Sequence, residues 1–221
     1  MSAIDESRPR TRLALVAALI TASVAGSFLL GRYPSLSFTN PFDLTADPML
    51  LNILVNLRLP RVLSAFLVGM VLGASGMVFQ MIFRNPLVDS GFLGVSSGAA
   101  FGASLAIVAL GGSALAVQSA AAVFACLGLA SSYALAKRIR FGGWVLRLVL
   151  AGIAMSALYS SGTGVLKYLA DPLKQLPDIT FWMLGGLWGI SWMDLLHLLP
   201  VALPCLLVIY LMRWRLNLLS M

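Results

Sequence analysis

The chain has 221 residues, of which 60% are hydrophobic and 10% are charged, and its mean hydropathy is +0.94. Soluble domains carry about a quarter charged residues, so this composition excludes an ordinary soluble protein and predicts an all-α bundle of helices in a lipid bilayer. A net charge of +7 would suggest nucleic acid as a partner of a soluble protein. Here the basic residues lie between apolar segments and form no basic aromatic face, which argues against nucleic acid.

Uncharged segments locate the predicted membrane-spanning helices, because about 20 apolar residues cross the hydrocarbon core. The uncharged segment 90–136 is too long for one helix, and Gly111-Gly112-Ser113 divides it in two. The first apolar segment follows three arginines as a signal peptide would, but its length and the lack of a clear cleavage site favour a retained anchor. The six predicted spans cover 13–31, 62–83, 90–110, 114–136, 148–166 and 195–212.

Two further segments are predicted to be interfacial helices. Asp47-Pro48 is typical of a helix N-terminus, and apolar residues then recur at helical spacing through 48–57. Residues 179–193 are uncharged and rich in Trp and Gly, but too short to span comfortably, which favours an interfacial or re-entrant piece.

The distribution of Lys and Arg predicts the orientation. With the N-terminus in the cytoplasm, ten basic residues lie inside and five lie outside, so the positive-inside rule predicts that both termini are cytoplasmic. The inside set is Arg8, Arg10, Arg12, Arg84, Lys137, Arg138, Arg140, Arg147, Arg213 and Arg215, and the outside set is Arg32, Arg58, Arg61, Lys167 and Lys174.

Glycines at four-residue spacing predict sites of close helix packing. Gly69 and Gly73 form one such pair, and Gly94, Gly98 and Gly102 form a run of three. For each glycine alone, packing without a direct role in function is the favoured interpretation.

The predicted spans contain almost no ionisable side chains. This disfavours an ion-coupled carrier or channel, which usually places charged groups at mid-membrane. The spans show no Ser/His, Asp/Asp or His/Glu constellation, so an enzyme is not predicted. His197 has no companion ligand, and Cys126 and Cys205 are interpreted as small buried apolar residues, so no metal or cofactor is predicted. Without a Walker A pattern, ATP hydrolysis would require a separate chain.

Several ordered motifs carry a resemblance to a known family. Leu57-Arg58-Leu59-Pro60-Arg61 leads into the second span, Arg84-Asn85-Pro86-Leu87-Val88-Asp89 follows it, and Leu93-Gly94-Val95-Ser96-Ser97-Gly98-Ala99 comes next. Further matches are Arg147-Leu-Val-Leu-Ala-Gly152, Phe181-Trp182-Met183-Leu184-Gly185 and Arg215-Leu216-Asn217-Leu218-Leu219-Ser220. Together they resemble the FecCD-type permeases, the membrane subunits of ABC importers for iron-siderophores, haem and cobalamin, over nearly the whole chain.

The resemblance implies a type II ABC importer permease fold in a bacterial inner membrane. It also implies three kinds of partner: cytoplasmic ATPase subunits, a periplasmic or lipid-anchored substrate-binding protein, and a second permease copy or homologue. Arg58 and Arg61 match the family's docking arginines for the binding protein, with headgroup anchoring as the alternative. Asn85, Pro86 and Leu87 match a gate at the cytoplasmic mouth of the pathway, with a simple helix-ending loop as the alternative.

The family also implies a longer chain. Its members have ten spans and carry a cytoplasmic coupling segment after the sixth, whereas this sequence ends at Met221, where that segment should begin. The resemblance therefore covers the N-terminal two-thirds of a permease, and a truncated or split, transport-incompetent fragment is the alternative hypothesis. The substrate stays open, as does a pathway role for side chains of the fifth span: Met155, Ser156, Ser160, Ser161 and Thr163.

Overall fold

The computed structural model describes residues 7–31, 37–38, 48–86, 88–89, 91, 93–187 and 189–220. Within these ranges the regular secondary structure is helical apart from two-residue strands β1 (Leu30–Gly31) and β2 (Ser37–Phe38), which pair antiparallel with Leu30 opposite Phe38. The predicted all-α class is confirmed. The helices are α1 (Ser7–Leu29), α2 (Pro48–Ile53), a π-helical turn (Leu54–Arg58), α3 (Leu59–Phe83), α4 (Val95–Ala109), α5 (Ala114–Arg138), α6 (Trp144–Leu169), α7 (Gln175–Leu184) and α8 (Trp192–Ser220).

The chain divides into two compact units. The first comprises Met1–Met70 with Leu187–Cys205, and the second comprises Val71–Gly186 with Leu206–Met221. In the first unit the buried apolar side chains come from α2, the π-helical turn, α3 and α8: Leu50, Leu54, Leu67, Leu195 and Ala202. The interpretation of residues 1–221 as one permease domain stays a prediction.

The second unit is built around α4, which packs against α5, α6 and α7. One apolar cluster joins α4, α5 and α7: Ala103, Ala106, Ile107, Val117, Ala121, Ala170 and Ile179. Another joins the end of α3 and the following loop to α5 and α6: Phe83, Val88, Leu93, Ala136, Leu148 and Ala151. Alanine is frequent in both clusters, and its small side chain allows helix backbones to approach closely.

Among the described residues, four helices are long and apolar enough to cross a membrane: Pro48–Phe83, Ala114–Arg138, Trp144–Leu169 and Trp192–Leu216. Many of their large apolar side chains are exposed on this chain, as Leu115 and Leu211 are, which a lipid environment accommodates and water does not. Two further apolar helices are shorter, Ala14–Ser27 and Val95–Ala109. At 1.5 Å per residue α4 is about 22 Å long, less than the ~30 Å hydrocarbon core, so the number of six crossings stays a prediction.

The predicted interfacial helix at 48–57 and the predicted span at 62–83 belong to one continuous helical segment, and their placement in the membrane stays a prediction. The chain is helical without interruption from Pro48 to Phe83, and Pro60 lies inside that helix instead of at its start. Proline lacks the N–H that an α-helix needs at an interior position. The π-helical turn Leu54–Arg58 ends two residues before the proline, and the helix continues through Pro60.

The predicted interfacial piece at 179–193 has other helix bounds in the structure, and its interfacial position stays a prediction. Helix α7 begins earlier, at Gln175, and ends at Leu184, where Gly185 has a left-handed backbone with φ +71°. Glycine adopts that conformation without steric cost, so the helix stops there. Helix α8 starts at Trp192, and it continues through Pro200 and Pro204, which membrane helices tolerate better than soluble ones.

Candidate functional site

The predicted docking arginines lie on either side of Pro60. Arg58 is the last residue of the π-helical turn and is half-buried, whereas Arg61 belongs to α3 and is exposed. In that turn the N–H of Leu59 donates to the carbonyl of Leu54, five residues back. Both arginines therefore belong to a helix whose hydrogen bonds change register after α2, from four residues back to five residues back.

The predicted gate begins where α3 ends. Arg84 has a left-handed backbone with φ +50°, its N–H donates to Met81 O at 3.3 Å, and the N–H of Asn85 donates to Gln80 O at 3.2 Å. This pair of bonds is the Schellman ending of a helix, and Pro86 follows it as a residue that cannot continue the helix. Leu87, the third predicted gate residue, lies outside the described residues.

The α3–α4 loop (residues 84–94, with 87, 90 and 92 undescribed) is anchored to the helices. The Val88 side chain is buried against α5 and α6. Further along, the Ser132 hydroxyl of α5 donates to the carbonyl of Leu93 at 2.8 Å in a buried position. The described part of the loop is thereby held by a helix ending, a buried side chain and a hydrogen bond to α5.

The three later glycines lie where α4 meets α5. A methyl group added to Gly98 would overlap the carbonyl oxygen of Phe124, and one added to Gly102 would lie 2.7 Å from Phe124 Cβ. On α5, Gly128 faces the backbone of Gly94 in the same way. Only glycine permits this backbone separation, so the α4–α5 contact depends on these residues.

The earlier glycine pair has a different environment. A methyl group added to Gly69 or Gly73 would meet no atom within 4 Å in the described part of the chain. A packing role for this pair stays a prediction, and it would require contact with another chain or with residues outside the described ranges.

An aromatic contact joins α4, α5 and α6 beside the glycines. The Phe101 ring of α4 lies edge-on to Phe124 of α5, with centroids 5.2 Å apart, and 5.8 Å from Tyr159 of α6. Gly162 leaves space for the same ring. Among the predicted pathway side chains of α6, Thr163 is buried and donates to Tyr159 O, a bond within its own helix.

Among the described residues, no group of three His, Cys, Asp or Glu side chains could hold a metal ion. The expectation that Cys126 and Cys205 are buried is wrong for this chain alone, because both are exposed. Sequence reasoning missed Ser132 and its bond to Leu93, since a serine in an apolar helix gives no signal of a partner 39 residues away. It also missed the π-helical turn, for which the proline was the available signal.

Comparison with known proteins gives consistent matches. The model of the FecCD transport family matches residues 15–221. The chain is 35% identical to the molybdate import system permease protein MolB of Haemophilus influenzae, over 98% of this chain and 65% of the relative. It is 38% identical to the hemin transport system permease protein HmuU of Yersinia pestis, over 97% of this chain and 64% of the relative.

A solved structure shares the architecture. It is described as an inward-facing conformation of a metal-chelate type ABC transporter, and it matches with a TM-score of 0.83 at 35% identity, covering 96% of this chain and 65% of its own. The chain thus spans less than two thirds of the length of these similar proteins.

Proposed function

Because this chain belongs to the FecCD transport family, we propose that it is a permease subunit, or the part of one present here, of an ABC importer. The observation that carries the proposal is the structural match to an ABC transporter over 96% of the chain. The apolar helices described here provide the membrane body that such an importer needs. Family membership favours this function over an ion-coupled carrier or channel.

In this proposal the energy for transport comes from other chains. The spans are almost free of ionisable groups and the sequence has no Walker A pattern, so neither ion coupling nor nucleotide hydrolysis resides in these residues. Cytoplasmic ATPase subunits would drive the cycle, and a second permease copy or homologue would complete the pathway. The subunit itself would be a non-enzymatic component of the inner membrane with both described ends of the helical body in the cytoplasm.

The proposed cargo is a metal-containing compound delivered by a substrate-binding protein. The resemblance points to an iron-siderophore, haem or cobalamin-type chelate, and the named relatives transport hemin in one case and molybdate in another. Weakly polar helices suit a large chelate whose own ligands already satisfy the metal. Since a molybdate permease is among the relatives, the test must include that oxyanion.

Two sites have proposed roles in this cycle. Arg58 and Arg61 would pair with carboxylates of the binding protein, since guanidinium groups form strong and reversible contacts of this kind. Asn85, Pro86 and Leu87 would form part of the gate at the inner mouth. The α3–α4 loop supports the gate proposal because its contacts with α5 and α6 hold the backbone that follows these residues in a defined position.

Uptake in cells tests the function. Cells lacking the gene and cells carrying it with its neighbouring transport genes would be supplied with radiolabelled ferric siderophore, hemin, cobalamin and molybdate. We expect one of the four to accumulate only in the complemented cells and only while the associated ATPase is active. Accumulation that persists with an inactive ATPase, or no gene-dependent uptake of any of the four, would contradict the proposal.

A further inference from the structure

The indole of Trp192 satisfies a carbonyl that Pro60 leaves without a backbone donor. Leu59 donates to Leu54, so the helix has the i→i+5 register of a π-helix at this point. The next donor in that register would be residue 60 and its acceptor would be Val55, but proline has no N–H. Instead, Trp192 Nε1 donates to Val55 O at 3.1 Å.

This hydrogen bond favours the π register over the α register. In an α-helix Leu59 would donate to Val55, four residues back, and the carbonyl deprived of a donor by Pro60 would belong to Asn56. A donor at Val55 O is therefore required only when the turn is π-helical. Val55 and Trp192 are 41% and 36% exposed on this chain, so the bond has the ordinary net value of about 1 kcal/mol, or roughly fivefold in an equilibrium constant. Since only the π register leaves Val55 O in need of a donor, the indole stabilises the π-helical turn selectively.

The backbone of Trp192 is positioned by hydrogen bonds at the N-terminus of α8. It is the first residue of α8, and the residues on either side of it form reciprocal N-terminal capping bonds. Ser191 N–H donates to Asp194 Oδ2 at 3.0 Å, and Asp194 N–H lies 3.4 Å from the Ser191 hydroxyl oxygen that accepts from it. This pattern is a capping box with Asp as its acidic member, and it fixes the backbone from which the indole extends.

The π-helical turn determines the face of the helix on which Arg61 lies. Seven residues make about two α-helical turns, so an unbroken α-helix would place Arg61 on the same face as Leu54, which is only 2% exposed. A π-helical turn contains roughly one additional residue and rotates the residues after it by about a quarter turn. In the structure Arg61 is exposed and Arg58, inside the turn, is half-buried.

We propose that Trp192 is a positioning residue for Arg61: its indole holds the π-helical turn, and the turn directs the guanidinium towards a partner's carboxylate. This inference rests on the proposed docking function of Arg61. The structural part of it, the link between the indole, the turn and the accessibility of position 61, is tested by measurements that do not involve docking.

The first test measures amide hydrogen exchange in the protein reconstituted in lipid nanodiscs. Trp192→Phe keeps an aromatic ring and removes the donor, and Trp182→Phe, on α7, is the matched control. We expect Trp192→Phe to accelerate exchange of peptides containing residues 54–59 roughly fivefold or more, with no change in α5. Equal exchange in the two variants would overturn the proposal.

The second test restores the missing donor. Pro60→Ala supplies an N–H at position 60, so that Val55 no longer depends on the indole in either register. In the Pro60→Ala background we expect Trp192→Phe to change exchange of residues 54–59 less than about twofold. An effect of Trp192→Phe that is as large as in the parent background would overturn the proposed mechanism, because a general loss of packing around the indole would act in both.

The third test reports on position 61 itself. In a background with Cys126→Ser and Cys205→Ser, R61C and L173C would be labelled with a water-soluble maleimide. We expect Trp192→Phe to slow labelling of R61C about fivefold and to leave L173C unchanged, and an unchanged R61C rate would overturn the positioning role. Failure of the docking function would appear elsewhere, as normal binding-protein affinity in Arg61→Ala.

Discussion

At the residue scale, Ser132 connects the α3–α4 loop to the helices. Its hydroxyl is fully buried and donates to Leu93 O, directly before the left-handed Gly94 that precedes α4. Leu93 is itself buried, so its carbonyl has little access to other donors. Within the described part of the chain, the neighbouring Ser131 donates to Gly128 O of its own helix. The two serines therefore provide a matched pair.

We expect Ser132→Ala to lower the free energy of unfolding by about 1 kcal/mol, because it leaves a buried carbonyl without a donor. Ser131→Ala should change it by less than about half as much, since the lost bond is local to the helix. Reversible unfolding of the protein in mixed micelles measures both values. Equal effects of the two substitutions would show that the hydroxyl of Ser132 does not anchor the loop.

Removal of the positive charge at Arg58 or Arg61 should weaken binding of the substrate-binding protein. Arg58→Ala and Arg61→Ala should each raise the binding-protein concentration that half-stimulates ATPase activity about fivefold, because each removes one guanidinium–carboxylate contact. The maximal rate should stay unchanged. The assay uses the permease reconstituted with its ATPase and binding protein.

Arg140 is the matched control for that experiment. It is exposed and basic like Arg61, and it lies in the connection between α5 and α6. Arg140→Ala should leave half-stimulation unchanged. If Arg140→Ala has the same effect as Arg61→Ala, net charge and not docking would explain the result.

At the element scale, the α4–α5 contact depends on the absence of side chains. Gly98 and Gly102 face the backbone of Phe124 and Ala120, so an added methyl group would meet main-chain atoms that cannot rotate away. By contrast, a methyl group at Gly164 of α6 would meet nothing within 4 Å in the described chain.

We expect Gly98→Ala and Gly102→Ala to destabilise the protein by about 2 kcal/mol each, because helices α4 and α5 must separate. Gly164→Ala should be neutral or slightly stabilising, since alanine has the higher helix propensity. Thermal unfolding followed by circular dichroism compares the three. A destabilisation by Gly164→Ala as large as that by Gly98→Ala would contradict the role of the close contact.

The segment 48–83 shows why element boundaries were harder to predict than elements. A proline in a helical pattern usually marks a start or an end, so the sequence around Pro60 predicts a helix start. The helix continues because a π-helical turn precedes the proline and because Trp192, 137 positions from Val55, supplies the missing donor. A contact between residues so far apart leaves no local pattern.

At the scale of the whole molecule, the distribution of charge predicts the orientation in the membrane. The connection between α5 and α6 carries Arg140 and borders on Lys137, Arg138 and Arg147, without an acidic residue between them. The connection between α6 and α7 contains both Asp171 and Lys174. The positive-inside rule therefore predicts that the first connection lies in the cytoplasm and the second outside.

Single cysteines test this topology in the cysteine-free background. Leu173 is 91% exposed and lies between α6 and α7, and Phe141 is 66% exposed and lies between α5 and α6. We expect L173C to react with a membrane-impermeant maleimide in spheroplasts, and F141C to react only after permeabilisation. The reverse pattern would contradict the predicted orientation.

The sequence was sufficient for the fold class and the family. Composition and uncharged segments predict apolar helices, and ordered motifs from Arg58 to Asn217 identify the family that the comparison then showed. The docking and gate residues were assigned by resemblance, and their roles stay proposals. The helix boundaries near Pro60 and Gly185 differ from the predicted ones. They depend on a π-helical turn and on a glycine with positive φ, and neither conformation is specified by the local sequence alone.

The membrane body is the part of this protein that the sequence by itself determined, since burial of apolar segments in lipid depends on composition and length, which are local properties of the chain. Only the tertiary structure decided how backbone groups find their partners across distant elements. Ser132 reaches Leu93, glycines of α4 meet α5, and Trp192 reaches Val55. The reason is physical: where water is excluded, every backbone donor and acceptor needs a partner, and the folded arrangement of helices determines which one is within reach.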